Sequence, residues 1–403
     1  MPDRTPRIAV YRDHVLPLTQ TFVAAQTDCL PRDATLVVGG TRVAGGPPLA
    51  TPSWVVADAA RTTPGRTAAM ASLKVLRRSG VLERRLQAFG AEVVLAHFAQ
   101  DGYRVLPAAR RLGIPLAVVC HGSDVLVRDE EARHGHWGER RLAGRWPELI
   151  AGADLFLAVS QHVGAALADR GVPPGKILVH YIGVHVPDLD VDHELAQRRD
   201  RHEILFVGRL ARNKGAHHLL EALARWGTAR LRSARPVRAT IVGDGEERPA
   251  LEAMAHKLGL GEQVQFAGAL PHEQVLALMR RARVLCAPSV AVASGAGEGL
   301  SMVALEAQAR AVPVVAFATG GLPEAVGAGG LLGPPGDVGW LAFALDRLTR
   351  DHDLWERRAR AGRARTVSEF DVRRQTTRLV ATLRRLADTG DPDRTEKGMA
   401  SCR

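Results

Sequence analysis

Segment 297–306 of the chain combines two glutamates, Glu298 and Glu306, with a glycine-rich turn and an apolar run that favours a helix. A turn that opens a helix presents unpaired N–H groups at the positive end of the helix dipole, which is a natural seat for a phosphate. On a single helix, carboxylates eight residues apart would differ in direction by roughly 80°. We therefore predict that Glu298 lies in a loop and Glu306 on the helix, so that two acceptor groups are spread along an extended ligand.

Two cations, Arg209 and Lys214, follow the apolar run Ile204–Val207, which is typical of a strand. Cations at the carboxyl end of a strand suit a diphosphate and would stabilise its charge as it leaves. For either cation alone, a solvated loop charge is the ordinary alternative. Together with segment 297–306, the two cations predict a diphosphate site.

Alternating strands and helices must position these residues. Short apolar, β-branched runs recur along both halves of the chain, separated by helix-like stretches, which indicates parallel sheets covered by helices on both faces. The runs are Ile8–Tyr11, Leu36–Val38, Trp54–Val56, Val93–Ala96, Leu116–Cys120, Leu155–Val159, Ile177–Tyr181, Ile204–Val207, Ala239–Val242, Val264–Phe266, Val284–Ala287 and Val312–Phe317. The fold class is therefore α/β, with two doubly wound domains whose facing strand ends form a cleft for the active site.

The domain boundaries follow from breaks in this pattern. Residues 1–186 are predicted to form the first domain and residues 203–368 the second, joined by a polar, proline-containing linker at 187–202. A helix at 369–388 is predicted to return to the first domain, and 389–403 to be a disordered tail.

Composition limits the partners. The 403 residues carry a formal charge of +11, which attracts acidic surfaces or phosphorylated substrates, while only 4% aromatic residues argue against stacking on nucleic-acid bases. The four cysteines are far apart in sequence, so neither a disulfide framework nor a zinc site is predicted, and a reducing cytoplasm is the expected compartment.

Segment Arg66–Gly90 carries cations between apolar residues. It is either an ordinary amphipathic helix pair or a surface that contacts an anionic membrane peripherally.

The second half resembles the retaining glycosyltransferases of glycosyltransferase family 4, which have the GT-B fold of two facing Rossmann-like domains. The resemblance covers roughly Glu203 to Leu348. Its motifs are Gly208-Arg209-Leu210 followed by Lys214-Gly215, Val242-Gly243-Asp244-Gly245, Phe266-Ala267-Gly268, Ala287-Pro288-Ser289, and Glu298 with Glu306 eight residues later.

The resemblance implies a role for each matching position on the donor side. Arg209 and Lys214 would bind the donor diphosphate, Glu298 would hold hydroxyls of the donor sugar, and Glu306 would hold the ribose hydroxyls. Amides of the segment Leu300, Ser301 and Met302 would cap the phosphates, and backbone around Gly268 would meet the base. The resemblance also favours a UDP-sugar over a GDP-sugar as co-substrate, because UDP-sugars are the donors that members of this family commonly use.

In the first half, three segments that follow predicted strands resemble the exopolysaccharide branch of that family, including the colanic-acid-type enzymes. They are residues 15–23, His97-Phe98-Ala99 and residues 120–125. The resemblance implies that His121 faces the reacting sugar. Asp124 either belongs to the acceptor side or caps the segment that follows.

The first loop departs from the Gly-Gly turn that many family members carry. Gln20 and Thr21 stand there as candidates to bond the acceptor or the donor, and Thr19 could be no more than an N-cap. Because this half shapes the acceptor site, the identity of the acceptor stays open.

The sequence thus predicts a retaining, metal-independent glycosyltransferase with His121, Glu298, Arg209 and Lys214 at its centre. It would move a sugar from a nucleotide diphosphate donor to a hydroxyl of a glycan, a lipid-linked glycan or a small molecule. No metal is expected, since the Asp-x-Asp spacing at 188–190 falls in the predicted linker. No cofactor is expected either, because Gly243-Asp244-Gly245 lacks the third glycine of a dinucleotide-binding motif. The low aromatic content argues against a nucleic-acid partner. The alternatives are a sugar-nucleotide epimerase of the same fold, which would need its own acid and base, and a non-catalytic nucleotide-sugar-binding protein.

Overall fold

A computed structural model describes residues 4–15, 20–43, 46, 49–59, 62–134, 137–229, 237–292, 295 and 297–389. The chain falls into two compact units. The first comprises Met1–Gly183 with Val372–Arg403, and the second comprises Val184–Asp371. None of the described helices combines the length and apolar character that crossing a membrane requires.

The first unit is built on a parallel sheet of seven strands in the order β3-β2-β1-β4-β5-β6-β7. The strands are β1 (Ile8–Val15), β2 (Thr35–Arg42), β3 (Ser53–Val55), β4 (Val93–His97), β5 (Leu116–Cys120), β6 (Leu155–Ala158) and β7 (Ile177–Val179). Every residue of β4 and β5 is buried, as expected for strands covered on both faces. Because the strand order reverses between β1 and β4, their carboxyl ends flank the switch point at which such sheets bind ligands.

Helices connect these strands. They are α1 (Thr21–Asp28), α2 (Thr63–Ala71), α3 (Gly80–Phe89), α4 (Ala99–Leu112), α5 (Ser123–Leu126), α6 (Asp129–Ala132), α7 (Trp137–Leu142), α8 (Trp146–Gly152) and α9 (Gln161–Asp169). Local sequence explains where several begin: the Ser79 and Ser160 side chains accept hydrogen bonds from backbone N–H groups that would otherwise be unpaired at the starts of α3 and α9. A π-helical turn, Ser72–Leu76, extends α2 and ends at Arg77, whose φ of 54° is uncommon for a non-glycine residue.

The second unit has a parallel sheet of six strands in the order β10-β9-β8-β11-β12-β13. The strands are β8 (Glu203–Val207), β9 (Arg238–Val242), β10 (Val264–Gly268), β11 (Val284–Ala287), β12 (Val314–Phe317) and β13 (Gly330–Gly333). Its order reverses between β8 and β11, which defines the switch point of this sheet. Two Rossmann-like units of parallel strands are what the sequence predicts.

The helices of the second unit are α10 (Val191–Arg198), α11 (Ala216–Ala229), α12 (Arg248–Lys257), α13 (His272–Arg281), α14 (Met302–Gln308), α15 (Leu322–Val326), α16 (Val338–Arg350) and α17 (His352–Glu369). Helix α10 lies inside the predicted linker, where Asp190 caps its first turn and Leu195 is buried. This segment therefore packs as part of the second unit. The last helix, α18 (Val372–Thr389), belongs to the first unit and packs against α1 and β4.

Candidate functional site

Lys214 and Glu298 meet at the switch point of the second sheet. Lys214 ends the 3₁₀ turn Arg212–Lys214 in the connection between β8 and α11, and Glu298 lies in the loop after β11. The Lys214 Nζ donates to Oε1 of Glu298 at 2.5 Å, and the Ser289 hydroxyl donates to the same oxygen at 3.0 Å. Burial would raise the pKa of Glu298, but the Lys214 charge and both hydrogen bonds outweigh it and hold that pKa below its ordinary value. The pair therefore presents an ionised carboxylate and an ammonium group side by side.

Glycines bring the loops around this pair into contact. Gly215 has φ of 73°, and a Cβ there would lie 1.9 Å from the Pro288 carbonyl oxygen. A Cβ on Gly321 would lie 2.0 Å from the carbonyl oxygen of Gly299, and the Gly321 N–H donates to the carbonyl of Glu298 at 2.8 Å. Any larger residue at either glycine would push apart the loops that position the pair.

Glu306 lies on α14 while Glu298 lies in the preceding loop, which confirms the loop-and-helix prediction for the two glutamates. The Oε1 of Glu306 is 3.6 Å from Nε2 of His272. Burial raises the pKa of Glu306 to about 7, against the opposing charge of Arg310. Its carboxyl group therefore changes charge close to neutral pH.

The other predicted donor-side residues lie at the carboxyl edge of the same sheet. Arg209 is exposed directly after β8, and Gly268 ends β10 with φ of 72°. The Gly243 N–H donates to the Gly268 carbonyl at 2.8 Å, which ties the ends of β9 and β10 together.

The three residues Leu300, Ser301 and Met302 span the start of α14. Leu300 and Ser301 are buried, and Ser301 stands at the N-cap position without a side-chain capping bond. The first N–H groups of the helix have no partner within it, as at any helix start. This end of α14 can therefore receive an anion.

In the first unit, His121 follows β5 and pairs with His97, the last residue of β4. The Nε2 of His121 lies 3.1 Å from Nδ1 of His97. The rings of Phe98 and Phe22 lie 4.2 and 5.2 Å from the His121 ring, centre to centre. Burial, then His97 and Arg12, lower the pKa of His121 well below its ordinary value, so its ring is neutral at pH 7. Phe98 has φ of 72°, a strained conformation that tends to persist at functional sites.

Asp124 accepts hydrogen bonds from three backbone N–H groups. Its Oδ1 accepts hydrogen bonds from the N–H groups of His121 and Gly122, each at 2.9 Å, and its Oδ2 accepts one from Ala99 at 2.8 Å. These bonds tie the loop after β5 to the start of α4. The arrangement fits the capping alternative better than an acceptor-side role, so we assign Asp124 to the positioning of His121.

Gln20 and Thr21 flank the start of α1. The Gln20 side-chain oxygen accepts a hydrogen bond from Nη2 of Arg12 at 2.8 Å, and Thr21 is the first residue of the helix. Thr19 lies outside the described residues. Gln20 is thereby attached to the switch point of the first sheet.

Sequence reasoning missed a buried ionic network at that switch point, formed by Arg12, Asp13, Asp101 and Arg104. Arg12 pairs with Asp101 and also donates to the His97 carbonyl at 2.8 Å, while Arg104 pairs with Asp13. The side chains are 4 to 6% exposed. The available signal was the polar pair Arg12-Asp13 directly after an apolar strand run, but their partners stand about 90 positions away.

Two family models match consecutive parts of the chain. The family model "Glycosyltransferase Family 4" matches residues 34–186, and "Glycosyl transferases group 1" matches residues 190–365. The chain is 34% identical over 281 residues to the 2-deoxystreptamine glucosyltransferase of Streptomyces kanamyceticus, covering 66% of this chain and 69% of that protein. The chain belongs to glycosyltransferase family 4. This family 4 enzyme is also 29% identical to a putative colanic acid biosynthesis glycosyltransferase of Salmonella typhimurium, over 76% of this chain and 74% of that one.

The predicted likeness to the exopolysaccharide branch is confirmed by this relative and by an amylovoran biosynthesis glycosyltransferase of Erwinia amylovora, 27% identical over 80% of this chain and 77% of that one. Among solved structures, Anabaena HepE in complex with UDP-glucose has a TM-score of 0.71 at 22% identity, covering 93% of this chain and 98% of HepE. The sucrose-phosphate synthase of Thermosynechococcus elongatus has a TM-score of 0.72 at 21% identity, covering 95% and 99%. The family 4 enzyme therefore has the GT-B fold.

Proposed function

We propose that this glycosyltransferase is a retaining enzyme that takes its sugar from a nucleoside diphosphate donor, a UDP-sugar first of all. The observation that carries the proposal is the Lys214–Glu298 pair at the switch point of the second sheet, with Ser289 on the same carboxylate. The pair offers a cation for a diphosphate beside an ionised acceptor for sugar hydroxyls. HepE, which shares the fold, was solved with UDP-glucose.

The proposed roles follow from chemistry at the strand ends. Lys214 and Arg209 bind the diphosphate and stabilise the charge that develops as it leaves, in the place that a metal ion takes in other enzymes. Amides at the start of α14 add the positive end of the helix dipole. Glu298 accepts hydrogen bonds from hydroxyls of the donor sugar, Glu306 from the ribose, and the backbone at Gly268 meets the base.

The proposed reaction is front-face transfer. The acceptor hydroxyl forms a bond to the anomeric carbon on the face from which the nucleoside diphosphate departs, so the configuration is retained. The carbon–oxygen bond to the diphosphate breaks, and the departing phosphate oxygen takes the proton of the hydroxyl. The relatives named for colanic acid and amylovoran support a hydroxyl of a glycan or lipid-linked glycan as acceptor, and the 2-deoxystreptamine glucosyltransferase supports a hydroxyl of a small molecule.

The proposal is tested by incubating the protein with a panel of UDP- and GDP-sugars and following nucleotide release, with and without EDTA. We expect one UDP-sugar to be turned over fastest and EDTA to leave the rate unchanged. Release from no donor in the panel, or abolition by EDTA, would contradict the donor class or the metal-independent mechanism respectively.

His97 is proposed to position His121 for this reaction. The Nε2 of His97 is buried and has no hydrogen-bond partner among the described residues. A proton there would be a buried unpaired donor, which is costly, so the favoured tautomer has Nδ1–H of His97 donating to Nε2 of His121. The neutral His121 ring then carries its proton on Nδ1, where it is available as a donor to the sugar or phosphate.

Replacing His97 by Leu should therefore lower kcat by about tenfold or more, because His121 loses the partner that fixes its tautomer. His97→Asn should stay within about threefold of the wild type, since the asparagine amide nitrogen can replace the Nδ1–H donor. Both rates are measured with the preferred donor, and ¹⁵N NMR of the His121 ring reports the tautomer. His162→Leu, at an exposed histidine on α9 of the same unit, is the control. Equal activity of the Leu and Asn variants would refute the positioning role.

The KM for the donor should fall by about fivefold as the pH rises from 6 to 8, because an ionised carboxylate accepts hydroxyl hydrogen bonds more strongly than a neutral one. The pKa of Glu306 lies at about 7, so the carboxyl is mostly protonated at the lower pH and mostly ionised at the higher. The measurement is KM across this range for the wild type and Glu306→Gln. The Gln variant should show a flat profile, and an identical slope in both proteins would exclude Glu306 as the cause.

A further inference from the structure

Two adjacent apolar side chains, Val75 and Leu76, project from the first unit at the end of the π-helical turn. They are 52% and 66% exposed. The other large apolar side chains that are exposed among the described residues stand singly in the sequence: Leu178, Leu258 and Phe343. Single exposed apolar residues are normal on protein surfaces, whereas an exposed apolar pair within a charged surface points to an interaction.

Cations surround this pair. Lys74, Arg77 and Arg78 flank it in sequence, and Arg141 on α7 donates to the carbonyl oxygen of Val75. Arg77 is joined at 2.7 Å to Glu148 on α8, next to the exposed Arg145. We call Val75 and Leu76 together with Arg78, Arg141 and Arg145 the basic tip. Its charge is complementary to an anionic surface.

The basic tip is connected to the switch point of the first sheet. The Lys74 Nζ lies 3.8 Å from Oδ2 of Asp13, the same oxygen that pairs with Arg104. Asp13 in turn donates its N–H to Asp101, the partner of Arg12. The turn that exposes Val75 and Leu76 is therefore attached to the carboxyl edge of the sheet on which His121 lies.

We propose that the basic tip docks this enzyme on an anionic lipid bilayer, with Val75 and Leu76 inserted among the headgroups and the cations on lipid phosphates. Two side chains are far too little surface for a stable protein interface, which buries about 800 Å² on each partner. They are enough for shallow insertion assisted by charge, since each Lys or Arg near an anionic surface contributes about fivefold in partition. The docking itself is independent of the proposed function, and only its purpose, presenting a lipid-linked acceptor hydroxyl near His121, rests on that function.

The test is co-sedimentation of the full chain with vesicles of equal parts phosphatidylglycerol and phosphatidylcholine, against pure phosphatidylcholine, at low salt. Wild type should bind the anionic vesicles and not the neutral ones. Val75→Ser with Leu76→Ser should reduce partition by at least about tenfold, and Arg78→Glu with Arg145→Glu by at least as much. Phe343→Ser, an equally exposed apolar site of the second unit, and Arg357→Glu are the matched controls and should bind as the wild type does.

Absence of binding to anionic vesicles would overturn the proposal, and so would binding that both double variants retain. Sedimentation velocity gives a second readout: if Val75→Ser with Leu76→Ser instead converts a dimer to a monomer, the occupant of the tip is a second copy and the membrane proposal is wrong. Release of nucleotide from the donor in solution, without vesicles, is measured on the same variants. Nucleotide release by these variants should equal that of the wild type. If the wild type itself released no nucleotide, the proposed function would be wrong, while the result of the docking experiment would remain valid.

Discussion

Replacing Glu298 by Gln should lower kcat by about a hundredfold with the preferred donor. The substitution keeps the shape of the side chain but removes the charge that pairs with Lys214 at 2.5 Å. The ammonium group then lacks its counter-ion in a sheltered site, and the amide is a weaker acceptor for the donor hydroxyls than the carboxylate is. Because the carboxylate is held ionised in the free enzyme, this loss should be seen across the whole range from pH 6 to 8.

The measurement is the initial rate of nucleotide release at saturating donor. Glu262→Gln is the matched control, since Glu262 is exposed in the same unit on the turn before β10. It should keep the wild-type rate. A Glu298→Gln variant that remains within about threefold of the wild type, with its fold intact by circular dichroism, would exclude the carboxylate from the reaction.

Replacing Asp101 by Leu should destabilise the first unit by about 3 to 5 kcal/mol, because it leaves the buried Arg12 guanidinium without the carboxylate that compensates its charge. Arg12 loses its carboxylate partner, Arg104 retains its pair with Asp13, and the Asp13 N–H loses its acceptor. The effect is large because the Arg12 and Arg104 side chains are each 6% exposed and cannot recover their hydration.

Native-state hydrogen exchange of β1 and β4 measures this local stability within the full chain. Asp58→Leu is the control: Asp58 forms an exposed pair with Arg42 in the same unit, and its loss should cost less than about 1 kcal/mol. If exchange in β1 and β4 is no faster in Asp101→Leu than in Asp58→Leu, the network does not stabilise the switch point.

Much of the fold follows from local pattern. The apolar runs predicted as strands coincide with twelve of the thirteen strands in the described part of the chain, because buried parallel strands are near-continuous β-branched segments. Strand β13, Gly-Leu-Leu-Gly, was missed because it is short, contains no β-branched residue and begins and ends with glycine. Strand β1 continues to Val15 through the polar residues Arg12, Asp13 and His14. From the sequence alone this polar stretch predicts that the strand ends at Tyr11, because the residues that pair with it are distant along the chain.

In the candidate site, too, local features could be predicted from the sequence and contacts between distant residues could not. The positions of Glu298 and Glu306 on a loop and a helix could be predicted, since spacing and glycines act locally. The contact between Lys214 and Glu298 joins residues 84 positions apart, and the one between His97 and His121 depends on the neighbouring order of β4 and β5. Such pairs are set by sheet topology, which spacing along the chain does not reveal. Asp124 shows that residue type can also mislead. As an aspartate after a strand it was a candidate for the acceptor side, but its carboxylate accepts hydrogen bonds from backbone N–H groups.

Binding of UDP tests the central claim most directly, because it isolates the diphosphate from the sugar and the acceptor. UDP is titrated calorimetrically into the wild type, Lys214→Ala and Lys257→Ala, the last being an exposed lysine on α12 of the same unit. A charge-assisted hydrogen bond to phosphate contributes enough binding free energy that removal of the Lys214 side chain should weaken UDP binding by about tenfold or more. Wild-type affinity in Lys257→Ala with a tenfold loss in Lys214→Ala is the predicted result. Equal UDP affinity in all three proteins would contradict a donor site at the switch point of the second sheet.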